Sequence, residues 1–179
     1  MSSGCIFAKT EISEVLFQLR KEYELVLGLR SVTSKKNNML MKNYSRMSIL
    51  AVSGWLEDSF DELFNISIDK LEKSEHQNEI HEITNRIHSF SYGGHVARGI
   101  MLAFGIHGLE YIEAEVGVTE MAILISGLRN FKNWRDDIAH SYRIKIPATP
   151  PLVIDQFNKI FPILKKMEKA ARKYRDNHF

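Results

Sequence analysis

The sequence contains a single cysteine, Cys5, and all four of its prolines lie in the last fifth of the chain. One cysteine excludes an internal disulfide and is typical of a reducing compartment. Its position near the start of the chain gives little support to a catalytic thiol. Because no proline precedes Pro147, the residues before it are free to be helical.

Long apolar runs are also missing from this chain. No run approaches the roughly 20 residues needed to span a bilayer, and the opening residues lack the basic and apolar regions of a signal peptide. We therefore expect a cytoplasmic protein with no membrane partner. The formal net charge of +2 is too small to indicate a nucleic-acid partner by itself.

The common motifs for cofactors and metals are absent as well. Gly93 and Gly94 belong to no dinucleotide-binding or phosphate-loop pattern, and no serine lies in a G-x-S-x-G turn. A helical zinc site needs two histidines three or four residues apart. His76 and His81 are five apart, and the next two steps between histidines are seven. We therefore predict no cofactor and no metal.

Apolar residues recur at three- and four-residue steps through most of the chain, which is typical of amphipathic helices. The steps predict a first helix at about 11–29 and a long second helix that includes Leu40 to Leu63. Further helices are predicted at about 79–90, 95–104, 120–143 and 150–176. Thr119 and Thr149 are good helix starts, and Pro162 is expected to kink or split the last helix. We predict one all-α bundle of about five to seven helices over residues 1–179, with a frayed N-terminus of about ten residues.

Reactive side chains cluster near the end of the helix predicted at about 120–143. Arg135 falls within an apolar stripe, where an unpaired guanidinium is costly, so it needs a carboxylate, a phosphate or a wet cleft. Asp136 precedes His140 by four residues, so the two share a helix face and the carboxylate can orient the imidazole. This set suits phosphodiester cleavage, which needs a cation for the phosphate and an imidazole to move protons.

Arg135 also permits a purely structural interpretation. It could form an ion pair with Asp58 or Asp61 of the second helix and take no part in catalysis. In addition, Arg135 and His140 lie five residues apart, or about 140° around a regular helix. They converge only if the helix is distorted or if a second copy of the chain supplies complementary groups, and the second case predicts a homodimer with a composite site.

The string from Asn133 to Ser141, NWRDDIAHS, resembles the arginine–histidine motif of the HEPN superfamily, whose members are small all-α domains and often metal-independent ribonucleases. Residues 49–60, in which an apolar run leads to Glu57, resemble the early helix of that family. The resemblance extends over most of the chain in organisation, although only about nine residues of it are specific.

This resemblance implies a metal-independent endoribonuclease, a bacterial toxin or antiviral defence effector, that leaves a 2′,3′-cyclic phosphate and a 5′-hydroxyl. It implies that Arg135 holds the phosphate, Asp136 is the polar orienter and His140 is the acid or base, with Glu57 as a lesser candidate. Aspartate stands at 136 where related motifs often have asparagine. The implied partners are RNA, a second copy of the chain and a cognate antitoxin or other regulator. The alternative is a non-catalytic HEPN-like dimerisation or interaction module.

Overall fold

The computed structural model of the chain describes residues 10–29, 35–68, 72–84, 89–140 and 148–178, and the side chains of residues 83, 84 and 140 fall outside this description. Six α-helices and one π-helical turn account for nearly all of these residues, which contain no strand. The helices are α1 (Thr10–Gly28), α2 (Lys35–Ile68), α3 (Ser74–Thr84), α4 (Ala97–Val116), α5 (Val118–His140) and α6 (Pro150–His178), and the π-turn is Tyr92–Val96. The predicted all-α bundle is confirmed.

The long helices α2, α5 and α6 contact one another and form the centre of the bundle. Helix α6 also contacts α1 and α4, and one buried cluster contains side chains from all five of these helices. Fully buried examples from the three central helices are Leu56, Leu128 and Leu164. Their burial follows from the apolar periodicity of each helix, because only one face can point to the shared core.

The two predicted helix starts, Thr119 and Thr149, had different outcomes. Helix α6 begins at Pro150, directly after Thr149, as predicted. It continues without a break past Pro162, because buried apolar residues on both sides of the proline compensate for the lost backbone hydrogen bond. Helix α5 starts at Val118, before the predicted cap Thr119, because Gly117 with φ 90° ends the preceding helix.

Other helix boundaries differ from the predictions. The helix predicted at 79–90 is α3, Ser74–Thr84, and Phe90 is a buried non-helical residue. The end predicted near Gly105 is a local break inside α4, where Gly105 has φ 75° and the helix then resumes. Some predicted features lie outside the described residues, namely the N-terminal segment with Cys5 and the continuation of α5 to residue 143.

Two absences hold for the part of the chain that the structure describes. None of its helices is both long enough and apolar enough to cross a membrane. Within the same residues, no three histidine, cysteine, aspartate or glutamate side chains come together in a group that could hold a metal ion.

Candidate active site

Arg135 lies on α5 where the buried stripe of this helix reaches the surface. Leu124, Leu128 and Phe131 of the stripe are completely buried. Arg135, one turn after Phe131, has a side chain that is 24% exposed. Since the stripe directs Arg135 towards its neighbours in the bundle, its guanidinium lies in a partly desolvated position, where charged partners are needed.

Glu57 of α2 is the principal partner of Arg135. Nη1 of Arg135 donates a hydrogen bond to Oε1 of Glu57, whose side chain is 33% exposed. The ion pair that the sequence left open between Arg135 and Asp58 or Asp61 is therefore formed by their neighbour Glu57. Glu57 was only the lesser candidate, yet the structure brings it into direct contact with the arginine.

Asp136 lies beside the same arginine and also contacts Lys132, one turn earlier on α5. Nζ of Lys132 donates a hydrogen bond of 2.5 Å to Oδ2, and Nη2 of Arg135 is 3.5 Å from Oδ1. The hydrogen bond from Lys132, together with the charges of both cations, holds the pKa of Asp136 below its usual range. Asp136 is therefore an ionised carboxylate bridging two cations.

His140 is the last residue of α5. Its imidazole lies outside the described part of the structure. The predicted contact between Asp136 and His140 therefore stays a prediction. Of the four predicted site residues, the structure brings Arg135, Asp136 and Glu57 together.

Phe90 supports the guanidinium of Arg135 from the segment before the π-turn. The phenyl ring is completely buried, and Cζ of Arg135 lies 5.1 Å from the ring centroid. A cation over an aromatic face is attracted by the ring quadrupole, a contribution of about 0.5–1 kcal/mol at exposed sites. Glu57 and Phe90 therefore hold the guanidinium from two different segments.

The π-turn, which begins two residues after Phe90, contains His95, a histidine that the sequence did not indicate as a site residue. His95 is partly exposed, and a hydrogen bond of 2.5 Å joins its Nδ1 to Oγ of Ser91. Burial lowers the pKa of His95 below its usual range, and the positive charges of Lys132, Arg135 and Arg98 lower it further. His95 is thus a neutral imidazole at neutral pH, close enough to Arg135 to be influenced by its charge.

One sequence signal could have drawn attention to His95. Ser91 and His95 are four residues apart, a spacing at which side chains on a helical turn meet. The two glycines between them, however, are more typical of a helix break. In the structure both lie within the π-turn, a form of helix that is frequent at functional sites.

The arrangement combines a guanidinium, two carboxylates and a lysine in one partly exposed cluster. A neutral imidazole lies on the π-turn, which packs against the same helix α5. Comparison of the chain with protein-family models, curated proteins and solved structures finds no match. The function must therefore be inferred from the chemistry of these residues. A guanidinium binds phosphate well, and a neutral imidazole is a good proton acceptor near pH 7.

Proposed function

We propose that this chain is a metal-independent endoribonuclease of the HEPN type, acting as a bacterial toxin or antiviral defence effector. The observation that carries the proposal is the guanidinium of Arg135, held by Glu57 and Phe90 at the surface end of α5, five residues before His140. An arginine fixed in this way is prepared to bind a phosphodiester and to stabilise the charge that develops during cleavage.

In the proposed reaction, the ribose 2′-oxygen attacks the adjacent phosphorus and the bond to the 5′-oxygen breaks. The products are a 2′,3′-cyclic phosphate and a 5′-hydroxyl. Arg135 has five N–H donors, and its contacts with Glu57 and Asp136 leave further donors for the phosphate. His140 exchanges protons with the reacting oxygens. Asp136 remains the proposed orienter, and its link to Lys132 offsets part of the repulsion between a carboxylate and RNA.

A homodimer is part of this proposal, because Arg135 and His140 diverge on a regular helix. Exposed apolar side chains on α2 support a second copy. Met47 and Leu50 are 53% and 49% exposed, and steps of three, four and three residues connect them through Gly54 to Glu57. These steps define one face of a helix, so a second chain covering this face would approach Arg135. A cognate antitoxin or other regulator could cover the same face.

A non-catalytic interaction module is the second candidate. The observation in its favour is that Arg135 already has two carboxylate partners, Glu57 and Asp136. Such a pair could stabilise the bundle or a dimer without binding RNA. Under this alternative, replacing Arg135 or His140 changes the oligomeric state, and the wild-type protein has no cleavage activity that the substitutions could remove.

The deciding experiment is cleavage of total RNA in EDTA by wild type, Arg135→Ala and His140→Ala. We expect the wild type alone to produce ends with a 2′,3′-cyclic phosphate, and the same two variants to relieve growth inhibition on expression. His107→Ala is the matched control, because His107 on α4 is 86% exposed and should be dispensable.

Either of two results would contradict the nuclease proposal. One is full cleavage by both motif variants, which would assign the activity elsewhere. The other is no cleavage by the wild type, combined with a shift of the motif variants from dimer to monomer in mass measurements. The second result would support the interaction module instead.

A further inference from the structure

Cleavage by an attacking 2′-hydroxyl requires two proton transfers at different oxygens. One group removes the proton from the 2′-hydroxyl, and another supplies a proton to the departing 5′-oxygen. A single imidazole cannot perform both at the same moment. If the proposed ribonuclease function holds, the second acid–base group is either His140 of the second copy in the composite site or a further side chain close to Arg135.

His95 is held in place by Ser91 in two ways. The backbone N–H groups of His95 and Val96 both donate to the carbonyl oxygen of Ser91, at 3.0 and 3.1 Å. The side chain of Ser91 forms the hydrogen bond of 2.5 Å with Nδ1. When Nδ1–H donates to the hydroxyl, the lone pair of Nε2 points away from Ser91. No hydrogen bond to Nε2 occurs among the described residues.

The position of the π-turn brings this imidazole to the arginine site. Phe90, whose ring lies under the guanidinium of Arg135, is the immediate neighbour of Ser91 in the chain. The turn also packs against α5, the helix that carries Lys132 and Arg135. His95 and the proposed phosphate clamp are therefore parts of one local structure.

The charges around His95 favour its neutral form. Among the described residues, the charges that shift the pKa of His95 come from Arg98 on α4 and from Lys132 and Arg135 on α5, and all three are positive. Together with burial they keep the pKa of His95 below the ordinary histidine value of about 6.5. A general base must be unprotonated to act, so this environment suits that role.

We propose that His95 is the general base of the RNA-cleaving reaction, a step that rests on the proposed ribonuclease function. Nε2 of His95 accepts the proton of the 2′-hydroxyl while the 2′-oxygen forms its bond to phosphorus. The bond between phosphorus and the 5′-oxygen breaks, and protonated His140 supplies the proton to that oxygen. Ser91 is a positioning residue that holds the ring through Nδ1.

The first test is the pH dependence of kcat/KM for wild type, His95→Gln and His107→Gln. We expect His95→Gln to lower kcat/KM about 100- to 10,000-fold, the usual contribution of general acid–base catalysis. We also expect this variant to lose the decline in activity on the acid side of the pH profile, since that decline reports protonation of the base. His107→Gln should keep both the rate and the profile.

Ser91→Ala is a second variant that leaves the imidazole in the protein. We expect a smaller loss of kcat/KM than for His95→Gln, with the acid side of the profile retained but displaced. Circular dichroism should show that both variants keep the helical content of the wild type. A purely structural role of His95 would change unfolding without changing the pH profile.

A modified substrate separates the base from the acid. At the mapped cleavage site, sulfur replaces the 5′-oxygen, and the thiolate then leaves without needing a proton. We expect this RNA to restore cleavage by His140→Ala and not by His95→Gln. The reverse pattern, or rescue of both variants, would overturn the assignment of His95 as the base.

The failure of this inference can be told from the failure of the proposed function. Cleavage by the wild type together with an unchanged rate and pH profile in His95→Gln would overturn the role of His95 alone. No cleavage by the wild type would overturn the ribonuclease function, and the role of His95 with it.

Discussion

The exposure of Arg135 and Glu57 predicts how much their ion pair contributes to the free energy of unfolding. The two side chains are 24% and 33% exposed, so the pair is neither buried nor fully solvated. Exposed pairs contribute about 0.2–1 kcal/mol, whereas breaking a buried pair costs about 3–5 kcal/mol. We therefore expect Glu57→Gln to lower the free energy of unfolding by about 1 kcal/mol, the upper end of the exposed range.

Replacing the arginine should cost more than replacing the glutamate. Arg135→Gln loses the pair and also the contact with Phe90, which contributes about a further 0.5–1 kcal/mol. The loss for this variant is then about 1.5–2 kcal/mol. The double variant should be no less stable than Arg135→Gln by itself, because Glu57→Gln has no ion pair left to break. The double-mutant cycle isolates a coupling of about 1 kcal/mol.

The assay is urea unfolding followed by circular dichroism, at one protein concentration because a dimer would make stability concentration-dependent. Arg20 and Glu24 provide the control cycle, as an exposed pair one turn apart on α1 whose side chains are 50% and 47% exposed. We expect the control to give about 0.3–0.5 kcal/mol. Raising sodium chloride from about 0.05 M to about 1 M should weaken both couplings.

Two results would refute this reasoning. A coupling no larger than that of the control would mean that Arg135 and Glu57 do not hold each other in solution. A coupling above about 3 kcal/mol would mean that the pair is buried, as a second copy of the chain covering it would cause. The same proteins would then need to be tested for dimer formation.

Two further predictions concern the π-turn and its surroundings. Lys132→Gln removes a positive charge that lowers the pKa of His95, so the pKa should rise and the acid side of the kcat/KM profile should move to higher pH; an unmoved profile would contradict the proximity of the two groups. In Gly99→Ala, a Cβ atom would lie 2.3 Å from Cζ of Phe64, so urea unfolding should show a loss of about 1–3 kcal/mol. Gly93→Ala is the matched control, since no atom lies within 4 Å of its added Cβ. We expect this variant to raise the free energy of unfolding by about 0.5–1 kcal/mol. Equal effects of the two alanines would refute the packing argument.

The fold was predictable where the signal was local and strong. The periodicity of Leu16, Leu19 and Tyr23 predicted α1 to within one residue at each end, and Thr149 before Pro150 predicted the start of α6. Gly105 was predicted to end a helix, but it interrupts α4 for only one residue. The apolar residues of α4 on both sides of Gly105 are buried in the core, and this packing outweighs the local break.

The candidate site was predictable only in part. The apolar stripe of α5 showed that Arg135 needs a charged partner, but the predicted partners were Asp58 or Asp61, and the structure gives their neighbour Glu57. Adjacent residues on α2 point about 100° apart, so the choice depends on how α2 is rotated against α5. His95 was missed for a related reason, since it lies 40 residues before Arg135 and nothing in the local pattern connects them.

The sequence by itself determined the helical class, the core-facing residues of most helices and the requirement of Arg135 for a partner. These properties depend on spacings of three and four residues, which act within about one helical turn. Only the tertiary structure decided that Glu57 and Phe90 hold the guanidinium and that the π-turn with His95 packs against α5. Such contacts join segments distant in the chain, and they arise from the angles at which the helices pack around the shared core.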